Sequence, residues 1–251
     1  MKTYLLKFIQ FMIIFTIILF CFNYPSLAQT LAQKNHEIII SVKTISEDYP
    51  ALTTNLQIPF FEGFGNEEIQ NRIATIIETD VFSFLDELIR DSEKYLETAK
   101  EAGWQTRKYI GETIFELHYL SEKIISFSLI YYSYTLGAHG FTERINYNFD
   151  LRSGDEIKIK DLFLDYNQYM DLINHEIKRQ IDAEKAIYFN EGKDFQSILE
   201  SQPFYIQYDG IVIYFGLYEI APYAEGIRYF KIPFHIFRDL SSDHLRYFAI
   251  N

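Results

Sequence analysis

Cysteine is almost missing from this sequence. The one copy, Cys21, lies within the first 28 residues, a stretch read below as a leader. No disulfide framework, cysteine-type zinc site or thiol nucleophile is therefore expected in the body. Positive charge is scarce as well. The 23 Lys and Arg stand against 35 Asp and Glu, a formal net charge of −12. Without Lys2 and Lys7 the remainder holds 21 against 35, or −14. Nucleic acid and anionic membrane reward Lys and Arg, so both are disfavoured as partners. The acidity either favours a cationic partner steered by charge or only keeps the chain soluble. Catalytic motifs are missing too: there is no nucleophile elbow, P-loop, dinucleotide fingerprint, HExxH or EF-hand loop. His36-Glu37 and His175-Glu176 begin like metalloprotease signatures but lack the second His, and the six His stand apart from one another. No cofactor, no metal and no catalytic residue is assigned.

Aromatic residues are what the sequence has in excess, with 23 Phe, 20 Tyr and one Trp among 251 residues. Each buried ring removes a large apolar area from water, so a core can form without disulfide or metal. Forty-eight per cent hydrophobic and 23% charged residues describe an ordinary globular body, which rules out disorder, a collagen-like fibre or a coiled-coil rod. Tyr suits half-buried sheet positions, and at a surface its ring and hydroxyl suit contact with proteins or sugars.

The N-terminus reads as an address. A short basic stretch with Lys2 and Lys7 precedes the apolar run 8–22, and Ser26-Leu27-Ala28 offers small residues for cleavage before Gln29. This is the order of a secretory signal peptide. The alternatives are an uncleaved anchor, for which the run is short, and lipidation at Cys21, where Phe20 stands in place of Gly, Ala or Ser. Each puts the body outside the cytoplasmic membrane, and membrane contact is expected only if the leader is uncleaved.

Along the body, residues 36–47 alternate as a strand that Tyr49-Pro50 ends, and residues 56–65 give a second extended piece plus loop. Asn66, with Glu67 and Glu68 behind it, opens a helical pattern that Gly103 stops, as one helix or as two broken near Thr79-Asp80. Residues 106–159 read as an antiparallel meander. A second helix is expected over 167–190, a short one at 194–199, and a hairpin with a type I′ turn at Asp209-Gly210. A Pro-containing loop, 218–226, precedes a last strand at 228–233. The order predicts an α+β fold: antiparallel sheet with two main helices packed on one face. Residues 1–28 are read as leader, 29–120 and 121–251 as two halves that pack as one unit.

Two loops attract functional attention. His139 sits between Gly137 and Gly140, joining two Tyr-rich strands; it is either an exposed recognition or proton-transfer residue or a turn residue capping backbone. Glu219 lies between Tyr218 and Tyr223, braced by Pro222, and is either a ligand-facing carboxylate or an ordinary loop residue.

Residues 134–140, Tyr-Thr-Leu-Gly-Ala-His-Gly, resemble the Tyr-x-Gly-Gly-Ala-His-Gly motif of RsiV-like extracytoplasmic domains. The run 148–163, through Asp161-Leu162-Phe163, and the stretch 218–226 are similar to that family's later signatures, and Tyr49-Pro50 to its N-terminal companion. Leu136 departs from the motif by replacing its first glycine. No stretch resembles the anti-sigma segment or the deacetylase domain that accompanies the module elsewhere. The resemblance implies an α+β domain whose role is binding, with lysozyme as the best understood ligand and no catalytic residues. The expected site is Tyr134, Gly137, His139, Gly140, Tyr218, Glu219 and Tyr223, facing a lysozyme-like cationic protein or a cell-wall glycan. The rival readings are an envelope hydrolase pairing His139 with Glu219, and a purely structural envelope protein.

Overall fold

The computed structural model of the chain describes residues 38–163 and 166–237, so the leader lies outside the described residues. The chain is α+β. Strands β1 (Ile39–Tyr49), β2 (Leu52–Glu62), β3 (Tyr109–Leu120), β4 (Ile124–Tyr134) and β5 (Phe141–Asp150) form one sheet in that order. Strands β6 (Phe204–Gln207), β7 (Gly210–Phe215) and β8 (Arg228–Pro233) form a second. Helix α1 (Glu67–Ala102) lies between β2 and β3, and α2 (Tyr166–Ala183) between the sheets in sequence.

The β1–β2 hairpin turns on Pro50 and Ala51, with Tyr49 opposite Leu52. The second strand therefore starts four residues before the extended piece expected at 56. Proline presets the turn's φ, and Leu52, Thr54 and Leu56 alternate inward from there. Pro59 sits inside β2 but costs no ladder bond to β3, because that parallel pairing stops at Leu56 and Thr113. Beyond it the Gln57 side chain takes over, accepting from the Phe115 N–H at 2.9 Å.

Helix α1 is continuous over 36 residues. Asn66 caps it, its side chain accepting from the Glu68 N–H at 2.9 Å, and Gly103 closes it in the left-handed region at φ 66°. No break forms at residues 79–80, because the Thr79 hydroxyl is satisfied by the Thr75 carbonyl at 2.7 Å within the helix. Ile69, Ile73, Ile77, Val81, Leu85 and Leu88 make the buried stripe. This helix is a crossover, which is why β2 and β3 run parallel inside an otherwise antiparallel sheet.

Strand β4 is buried on both sides, which explains its nearly unbroken apolar run. Ile125, Phe127, Leu129 and Tyr131 join the α1 core. Ile124, on the opposite face, joins a second core built from Ile173, Ile177 and Ile181 of α2 and from Ile206, Ile211, Ile213, Phe230 and Ile232. The helices thus cover different sheets instead of sharing one face. The joint is polar. Ser126 donates to Asn148 at 2.6 Å and accepts from the Ile206 N–H at 2.9 Å, and Asn148 donates to the Phe204 carbonyl at 2.9 Å.

Three local expectations are corrected. Helix α2 ends at Ala183, and the chain to residue 192 makes short 3-10 turns in which Asn190, Glu191 and Gly192 all have positive φ. Residues 194–199 are not helical. The hairpin turn is Tyr208–Asp209, since Gln207 pairs with Gly210 and neither turn residue has the positive φ that type I′ requires. Gly210 is needed for a different reason: a Cβ there would lie 2.4 Å from the Ile232 carbonyl oxygen of β8.

Candidate functional site

The β4–β5 connection and the loop before β8 meet, although some 80 residues separate them. The His139 ring stacks on Tyr223 with centroids 3.8 Å apart. Its Nδ1 donates to the Gly140 carbonyl at 2.9 Å, which leaves Nε2 as the acceptor for the Tyr218 hydroxyl at 3.4 Å. The Tyr223 hydroxyl donates to the same Gly140 carbonyl at 2.7 Å. Gly140 is thus the knot between the loops. It is buried under Tyr132, whose ring stands 2.3 Å from where a Cβ would be.

The surrounding scaffold is held in place. Phe189 N–H bonds the Ile220 carbonyl at 3.0 Å. The Arg228 guanidinium reaches Tyr188 at 3.3 Å and the Glu225 carbonyl at 3.4 Å, fixing the end of the loop. Leu136 and Tyr218 both sit at φ 66°, in the left-handed region. A side chain there costs on the order of 1 kcal/mol, so the packing around the two loops holds them in a conformation glycine would adopt freely. Leu136, where the resembled motif has glycine, keeps the glycine backbone.

Of the expected residues, the structure brings together His139, Gly140, Tyr218 and Tyr223. Gly137 lies in the same loop, exposed, and a Cβ there would meet only the His139 carbonyl oxygen at 3.9 Å. Tyr134 ends β4 opposite Ile110, half-buried. Glu219 is exposed and folds back over Gly216, its carboxylate forming no hydrogen bond or ion pair with any described residue. His139 is therefore partnered by two tyrosines and a carbonyl, not by Glu219. Among the described residues no group of three or more His, Cys, Asp or Glu is placed to hold a metal ion.

Sequence reasoning missed a second polar cluster, at the joint between the sheets. Arg144 of β5 is almost enclosed, with 7% of its side chain exposed. It donates to Glu116 at 2.8 Å and to the Tyr229 hydroxyl at 3.0 Å, and its guanidinium lies over the Tyr205 and Tyr229 rings at 5.6 and 5.2 Å. His118 stacks on Tyr205 at 3.9 Å. Its Nε2 accepts from Arg144 at 3.4 Å and contacts the Ser128 hydroxyl at 2.8 Å. Burial, then the neighbouring guanidinium, lowers this imidazole to about 4. Alternation along β3 and β5 gives no sign of this cluster, because a second sheet has to arrive to enclose it. A third polar group lies under α1: Tyr147 donates to Asp80 at 2.8 Å, and burial pushes its partner Tyr131 up to about 12.

Residues 45–142 match the family model described as Deacetylase PdaC, and residues 160–235 match that of a protein of unknown function, DUF3298. One loop of the site falls in each match. Together with the α+β fold, these two matches support an RsiV-like module. One relative is the anti-sigma-V factor RsiV of Bacillus subtilis (strain 168), 23% identical over an alignment of 205 residues that covers 78% of this chain and 68% of that protein. Two crystal structures share the fold. A DUF3298 family member from Bacteroides fragilis NCTC 9343 superposes with a TM-score of 0.62 at 19% identity, over 81% of this chain and 93% of that one. A DUF3298 family protein from Pseudomonas aeruginosa PAO1 gives 0.54 at 14% identity, over 81% and 94%.

Proposed function

We propose that the protein is a non-catalytic, extracytoplasmic binding module that docks a basic protein, lysozyme-like in its surface, on the face made by His139, Tyr218 and Tyr223. The convergence of the two loops on the Gly140 carbonyl carries this reading. It presents tyrosine and imidazole rings on a braced scaffold, and Tyr218 is 53% exposed. Aromatic side chains that lose little entropy on contact are the residues that anchor protein interfaces. The net charge of −12 supports a cationic partner, and the similarity to RsiV supports a sensing or sequestering role. Outside the described residues, the first 28 are read as a leader that delivers the two halves, 29–120 and 121–251, as one exported body.

Calorimetric titration of the purified protein with lysozyme, at two salt concentrations, tests the proposal. Saturable heat is expected, with affinity falling several-fold as salt rises from about 50 to about 200 mM. Tyr218→Ala and His139→Ala should each weaken binding by about tenfold or more. A folded protein that gives no heat at either salt would remove the lysozyme reading. The rival hydrolase reading needs a general acid–base pair within reach, and Glu219 offers no bond to His139.

A further inference from the structure

A groove of about 360 Å³ runs between α1 and the end of the first sheet. One wall is Asp91, Lys94, Tyr95 and Thr98, a single helical face at i, i+3, i+4 and i+7. The other is Tyr109, the first residue of β3, and Thr135, just past β4. The two rings stack at 5.5 Å and 27°, and the Tyr95 hydroxyl is fixed by the Arg107 N–H at 3.2 Å. Burial, then Asp91 and Tyr95, raises the Tyr109 phenol, so it remains a donor. Among the described residues neither the Asp91 carboxylate nor the Lys94 ammonium has a hydrogen-bond or ion-pair partner. The Thr98 hydroxyl donates to the Lys94 carbonyl at 3.0 Å, leaving its acceptor side free.

These groups define a ligand. The lining carries one positive and one negative side chain, so it selects neither an anion nor a cation. An apolar ligand would desolvate that pair without replacing its hydrogen bonds. What fits is a neutral molecule with an apolar face for the tyrosine rings and a rim of hydroxyls for the carboxylate, the ammonium and the threonines. We propose that this groove is a saccharide subsite that takes the pyranose rings of a neutral oligosaccharide. It goes beyond the docking face, with which it shares no residue. Thr135, next to the left-handed Leu136, is where the groove comes nearest in sequence to that face.

The test is titration of isotope-labelled full-length protein with chitotriose, cellotriose and maltotriose, followed by amide NMR. At least one sugar should give saturable shifts at Tyr95, Thr98, Tyr109 and Thr135, with Kd near about 1 mM. Asp91→Asn and Lys94→Met are exposed helix substitutions that leave the fold intact, and each should weaken binding several-fold. Tyr95→Ala should abolish it. His139→Ala and Tyr218→Ala should leave sugar binding unchanged, so that loss of the docking reading and loss of this one are told apart. No saturable shift with any of the three sugars would overturn the proposal. So would an affinity undiminished in Asp91→Asn, or saturable shifts that persist in Tyr95→Ala.

Discussion

Gly140 and Leu136 stand close together in one connection and obey opposite rules. Gly140 has no positive φ and is needed for space, since Tyr132 stands where its Cβ would be. Alanine there should cost about 1–3 kcal/mol by forcing the ring aside. Pairing it with Tyr132→Ala should recover part of that loss, and urea unfolding midpoints of the two single variants and the double variant would show it. Leu136 has a side chain in a backbone conformation that suits glycine. Leu136→Gly should therefore leave the protein as stable or raise it by up to about 1 kcal/mol, despite the loss of a half-buried side chain. A clear drop in the midpoint would show that Leu136 packing, not backbone strain, dominates there. The sequence exposed the glycines as candidates, but it did not tell which one answers to space and which position answers to φ.

At the scale of elements, α1 shows how far local signals reach. Asn66, Glu67, Glu68 and Gly103 marked both ends correctly, because capping chemistry is decided within a few residues. Asn66→Ala should remove about 1 kcal/mol, seen as a lower thermal midpoint with little change in helix content. The turn at Tyr208–Asp209 shows the limit of such signals. Asp209-Gly210 reads as a type I′ turn, yet Gly210 is drawn into β7 because β8 passes within contact of its Cα. That neighbour is 22 residues downstream and carries no local mark. The same holds for the parallel β2–β3 pair, which follows from the crossover and not from the composition of either strand.

The whole molecule depends on a polar joint between two apolar cores, made by Ser126, Asn148, Arg144 and His118. Its pH dependence has a definite sign. His118 is lowered in the folded state from an ordinary value near 6.5 to about 4. Its contribution to stability is therefore complete above about pH 6.5 and is lost as pH falls toward about 4, where the unfolded chain gains a proton the native one refuses. Replacing it by His118→Gln should flatten that part of the stability curve. Urea midpoints taken across the window, for both proteins, would check it, and parallel curves would show that the imidazole does not titrate as its surroundings require. The sequence by itself determined the α+β class, the two ends of α1, the strand-rich middle, the excess of acid and the two loops worth watching, because these follow from periodicity, capping and composition. Only the tertiary structure decided that there are two sheets, that His139 is partnered by tyrosines and not by Glu219, and that Arg144 is enclosed. Each of those outcomes depends on which distant segment packs alongside, and packing between remote segments leaves no trace in the spacing of either one.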